Sequence, residues 1–176
     1  MELTRRDALA ALAALGVGGG TLSGCVAPRS NTPAADVDVD RIRAVLIAAA
    51  EVVYPSEVSG IDEFVTTLLE ARLEDSTHAT GLDETAAELD DHASAWYENR
   101  FATLSVADRD RVLEEIGAAA ADEDPDGTTA ERVRYYVVNE LLLALYASPT
   151  GGELVGIENP QGHAGGLASY QRGPTA

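Results

Sequence analysis

The most reactive side chain in this 176-residue sequence is its single cysteine, Cys25, and the neighbouring residues give that thiol a use. Leu22-Ser23-Gly24-Cys25 is a run of small residues ending on a thiol, a pattern at which a leader is cut and the new N-terminal cysteine acylated. Upstream, the adjacent guanidiniums Arg5 and Arg6 stand in Thr4-Arg5-Arg6-Asp7-Ala8-Leu9, and an Ala/Leu-rich stretch follows from Ala8 to Val17. Crossing a bilayer takes about 20 apolar residues. The stretch is shorter, so it reads as a signal and not an anchor. Arg5 and Arg6 are expected to be a twin-arginine export signal, and Cys25 the lipid attachment point. The alternative is a buried amphipathic N-terminal helix with an incidental cysteine. The order of arginine pair, apolar run and lipobox favours the signal.

The remaining candidates for chemistry are weaker. Asp122-Glu123-Asp124-Pro125-Asp126-Gly127 copies the first half of a calcium loop, with carboxylates at positions one, three and five and glycine at six. Its twelfth position, where a bidentate Glu belongs, is Val133, and an acidic helix-to-helix turn is the simpler reading. His92 has Leu89 three residues before it, where a di-iron helix needs Glu. His78 and His163 fall in expected loops without ligand spacing, so no metal is expected. The sequence has no Gly-x-Gly-x-x-Gly to cradle a dinucleotide and no Cys-x-x-Cys-His to attach haem, so no cofactor is expected on this chain. No Ser/His/Asp or Cys/His grouping can be nominated, and no residue is expected to be catalytic.

Composition narrows the partners. Thirty acidic residues face twelve arginines and no lysine, giving a net charge of -18. Two arginines and two acids precede Cys25, so the rest of the chain carries the same charge. A carboxylate-dense, lysine-free surface suits a protein working in concentrated salt, where the Debye length falls to about 3 Å and self-repulsion is screened. No basic stripe exists to neutralise phosphates, which excludes nucleic acid as a partner. One cysteine allows no internal disulfide, and the fold must rest on packing.

Helices must position these residues. Apolar residues recur at three- and four-residue steps from Asp38 to Tyr54 (Ile42, Val45, Leu46, Ala49, Val52, Val53), and Pro55 ends the run. A second helix is expected from about Gly60 to Leu73 on Ile61, Phe64, Val65, Leu68 and Leu69, then a polar break from Ser76 to Gly81. A third runs from about Leu82 to Phe101, with Leu82, Leu89, Ala93, Trp96, Tyr97 and Phe101 inward. Ser105 caps a fourth in a capping-box-like Ser-Val-Ala-Asp, and Thr128 or Thr129 starts a fifth through Tyr146. Tyr135 and Tyr136 point about 100° apart on that helix, so one of them is free for a partner. The expected fold is all-α, a single bundle of about five helices with a Gly/Pro-rich extended C-terminal tail. The expected organisation is leader 1–24, flexible tether 25–36, helical domain 37–147 and tail 148–176, the tail packing on the domain or on a partner and containing no regular helix.

At two places the sequence resembles a known family. The order of first helix, Tyr54-Pro55, Gly60 and Asp62-Glu63-Phe64-Val65 is similar to the start of the gluconate 2-dehydrogenase subunit 3 family, and Leu145-Tyr146-Ala147-Ser148-Pro149-Thr150-Gly151-Gly152 resembles its aromatic, proline and paired-glycine segment. The chain departs from the family's Gly-Tyr-Pro ending with Ser169-Tyr170-Gln171. The resemblance, to a salt-adapted, haloarchaeal-type lipoprotein exported by the twin-arginine route, implies a non-catalytic small subunit of an exported, membrane-associated flavin-dependent sugar-acid or alcohol dehydrogenase. It implies FAD on a large flavoprotein partner, haem on a cytochrome c subunit where there is one, and a place at the outer face of the cell membrane. Tyr135, Tyr146, Pro149, Gly151 and Gly152 are the expected partner contacts. A stand-alone acidic envelope lipoprotein that binds a ligand or acts as a scaffold is the alternative.

Overall fold

Apolar periodicity of 3.6, with no alternating stretch of useful length, leaves helices as the means of burying this chain, and helices are what form. The computed structural model describes residues 1–15 and 37–156, and among them no strand occurs. The helices are α1 (Arg5–Ala14), α2 (Val39–Val53), α3 (Ile61–Arg72), α4 (Ser76–Tyr97), α5 (Val106–Ile116), α6 (Thr129–Val133), α7 (Glu140–Ala147) and α8 (Pro149–Leu154). A π-helical segment, Arg134–Asn139, joins α6 to α7 in one continuous run. The five expected helices of the domain are therefore present, with two additions, α1 and α8. Cys25, the tether 25–36, His163, Tyr170 and the tail beyond residue 156 lie outside the described residues.

α2 is the hub. It packs against α3, α4, α5 and α7, which is why Ile42, Val45, Leu46, Ala48, Ala49 and Ala50 are all buried along its fifteen residues. Asp38 caps it, accepting from Arg41 N at 3.0 Å, and Tyr54 ends it in an extended conformation before Pro55. Buried Tyr54 donates its hydroxyl to Leu141 O at 2.9 Å, tying α2 to α7. Burial pushes the Tyr54 phenol far above its ordinary value. Phe64 and Phe101 are the largest fully hidden side chains, and truncating either to alanine costs about 3–5 kcal/mol.

Three expectations are corrected by the packing. The polar break at 76–81 is helical, because the Asp75 carboxylate accepts from Thr77 N (3.0 Å) and His78 N (3.2 Å) and starts α4 there. Gly81 sits inside that helix because the Tyr136 ring lies against it; a Cβ would meet Tyr136 Cζ at 2.2 Å. Second, α4 stops at Tyr97, where Glu98 takes a left-handed conformation, so Trp96 is 48 % exposed and not part of the inner face. Phe101 returns to the core from a separate 3-10 turn, its amide bonded to Asp90 at 3.0 Å. Third, 149–154 is a helix despite its proline and glycines. Pro149 occupies the first helical position, where a missing N–H costs nothing, and buried Ser148 caps it by accepting from Gly151 N at 3.0 Å.

The N-terminal segment, expected as a leader apart from the domain, is packed on it. α1 lies against α3, α7 and α8 and buries Ala8, Ala11 and Leu12, with Leu3 buried just before it. Thr4 and Asp7 close a full capping box at its start. For residues 3–12 this is the geometry of the buried amphipathic helix, the alternative to a signal in the sequence.

Candidate functional site

Two seams of the fold concentrate the polar chemistry. At the first, Asp7 is buried between α1 and the start of α8. Its carboxylate accepts from Thr4 N (3.0 Å), Thr4 Oγ1 (2.6 Å) and Thr150 N (3.1 Å). Burial pushes the carboxyl up, but the bonds from Thr4 and Thr150 outweigh it and hold it below its ordinary value. Next to it the backbone of Leu3 runs along Ser59, with Leu3 N donating to Ser59 O and Ser59 N donating to Met1 O, both at 2.8 Å. Gly60 permits this approach. It holds φ +77°, and a Cβ there would stand 2.1 Å from Leu3 O.

The second seam lies where the π-helical segment hands over to α7. Glu140 is buried there between Arg72 of α3, with which it forms an ion pair, and His78 of α4, whose Nε2 stands 3.6 Å from its Oε1. The His78 ring also lies against Tyr136, tilted by 54° at 5.3 Å, and Tyr136 in turn meets Tyr135 edge-on at 4.8 Å. Burial raises the Glu140 carboxyl above its ordinary value, and Arg72 pulls it only part of the way back. Burial, with the nearby Arg72 charge, lowers His78 below its ordinary value. A π-helical turn often marks a functional position. This cluster holds one histidine and one carboxylate, and among the described residues no group of three His, Cys, Asp or Glu could hold a metal ion. In the acidic turn, Asp124 accepts from Asp126 N at 2.9 Å.

The expected site residues are distributed unevenly over this geometry. Arg5 and Arg6 are exposed on the first turn of α1, Arg5 paired with Glu63 at 2.6 Å. Tyr136 is the buried tyrosine of its pair and Tyr135 the half-exposed one. Tyr146 is 43 % exposed, and Leu143, one turn earlier on the same face of α7, is 52 % exposed. Pro149 is half-buried. Gly151 and Gly152 are buried within this chain, and a Cβ on Gly151 would meet Leu145 O at 1.9 Å, so Gly151 allows α8 to turn tightly against α7. The sequence does not announce Arg72, Glu140 or Leu143, and His78, expected in a loop, lies in α4 beside Glu140. Arg72, His78 and Glu140 come from separate helices, and no local spacing connects them. Leu143 was hidden among the apolar residues of α7.

Fold and site together define an all-α domain whose buried polar groups serve its own packing and whose α7 carries an exposed apolar pair. The profile of the gluconate 2-dehydrogenase subunit 3 family matches residues 40–165. The chain belongs to this family, as a subunit of the gluconate 2-dehydrogenase type. The match takes in α2 to α8 and starts after α1. No curated protein and no solved structure shows significant similarity to the chain.

Proposed function

We propose that this protein is the non-catalytic accessory subunit of an exported, membrane-associated flavin-dependent dehydrogenase acting on sugar acids or related alcohols. Family membership across the whole helical domain carries the reading. In this account a large flavoprotein holds FAD and oxidises the substrate, and a cytochrome c subunit carries electrons onward where one is present. This chain binds the folded flavoprotein, lends it the export signal at Arg5 and Arg6, and holds it at the outer membrane face through lipid on Cys25. Each buried methylene contributes about 0.8 kcal/mol, so two acyl chains retain the complex without a spanning helix. No helix among the described residues is long and apolar enough to cross a membrane.

The exposed pair Leu143 and Tyr146 is the docking surface this account favours, since adjacent large apolar side chains on one helix face suit a partner contact. The double substitution Arg5→Lys with Arg6→Lys tests the courier role. The account expects both this chain and the flavoprotein to stay inside the cell. Normal export of the flavoprotein with that variant would contradict it.

A further inference from the structure

We propose that the domain binds its own N-terminal signal, so that the twin-arginine segment exists in a closed, docked state that must open before the signal is read. The inference rests on the signal reading of Arg5 and Arg6 above.

The docked state is built, not incidental. A ten-residue helix such as α1 is marginal in water by itself, because nucleation outweighs so few backbone bonds. Here it gains a buried face of Leu3, Ala8, Ala11 and Leu12, a buried carboxylate bonded to Thr150 N, two backbone bonds to Ser59, and an ion pair from Arg5 to Glu63. Gly60 is shaped for the contact, since any side chain there collides with the Leu3 carbonyl. The docked geometry also divides the signal. The arginines face solvent, whereas Ala8, Ala11 and Leu12 of the apolar run that must follow them in a readable signal are buried on the side that meets α3, α7 and α8. A receptor that needs both halves can engage the open state and not the closed one.

Gly60→Asn separates docking from backbone strain. Asparagine tolerates positive φ and is a good helix N-cap, so α3 keeps its start, but its Cβ displaces Leu3. Gly117→Asn is the control, because Gly117 has φ +84° with nothing within 4 Å of its Cβ position. Hydrogen exchange of the full chain, uncleaved, is read at the amides of Ala8 to Leu15. In the wild type these are expected to exchange roughly a hundredfold more slowly than in the free 1–15 peptide. Gly60→Asn should erase that protection while α2 to α5 stay protected, and should speed export several-fold; Gly117→Asn should change neither. Wild-type amides that exchange like the free peptide overturn the proposal, and would do so even if the asparagine variant failed to fold. A released leader with an unchanged export rate overturns it too. If Arg5→Lys with Arg6→Lys leaves export intact while protection persists, the signal reading has failed and the gate with it, whereas docking stands as plain structure.

Discussion

Asp7 and Glu140 are equally hidden, each 7 % exposed, yet their surroundings drive their titration in opposite directions. Asp7 sits at a seam between an end helix and α8, where three neutral donors reach its oxygens, and its charged form is favoured. Glu140 sits inside the domain, where burial dominates and Arg72 offsets only part of the penalty. A carboxylate that accepts several well-placed N–H and O–H bonds is cheap to bury, and one that depends on a single counter-ion is not. The two seams also differ in what they hold: Asp7 fastens a segment that can leave, and Glu140 joins three helices that cannot separate without unfolding.

The largest effect expected from breaking this contrast is at Arg72. Arg72→Leu leaves Glu140 buried without its cation, and should lower global stability by about 3–5 kcal/mol, read by denaturant titration at pH 7. That deficit should shrink as pH falls towards 4.5. The folded Glu140 carboxyl lies above its unfolded value, so its burial is least costly below the unfolded value of 4.5 and grows costlier as pH rises through the folded one. His78, the other ionisable group facing it, is lowered by burial and by the Arg72 charge, so removing Arg72 eases its protonation beside Glu140 as pH falls, which pushes the sign the same way. A deficit that is constant with pH would mean that Glu140 is not what suffers.

A smaller, local effect is expected at Asp7. Asp7→Ala removes the capping box and the acceptor for Thr150 N, and should weaken docking of α1 by about 1–2 kcal/mol, seen as faster exchange at Ala8 to Leu15 with the melting transition of α2 to α7 unchanged. Its pH dependence is the reverse of that at Glu140. With the folded value held below 3.8, the Asp7 contribution is complete above pH 3.8 and is lost as pH falls through that lower folded value. Smaller still is the effect of Leu143→Asp with Tyr146→Ala. Both positions are exposed, so stability should move by about 0.5 kcal/mol or less while recovery of the flavoprotein with this chain drops.

The same contrast separates what the sequence reveals from what it hides. α2, α3 and α5 are legible because their apolar residues repeat at helical steps and their caps, Asp38 and Ser105, are local. The start of α4 is not, since Ser76 to Gly81 looks like a loop until the Asp75 cap and the Tyr136 ring against Gly81 are in view. α8 is hidden for a similar reason: its proline and glycines read as breakers, yet each fits a position set by Leu145 and Ser148. Of the candidate site, the arginine pair stands out by its position before an apolar run, and Tyr146, exposed on α7, is implied by the family resemblance. Docking of α1 could not, because an Ala/Leu run suits a free leader and a packed helix equally well, and the deciding contacts come from Ser59, Gly60 and Thr150, far along the chain.

On the proposed reading, this chain serves a reaction centre carried by another polypeptide. Native mass spectrometry of the protein, extracted from membranes with detergent in concentrated salt through an affinity tag after residue 176, tests it most directly. The expected result is a complex of this chain with a larger polypeptide that carries flavin, and no flavin mass on this chain once the two are separated. Recovery of this chain alone, or with a prosthetic group bound to it stoichiometrically, would contradict the account.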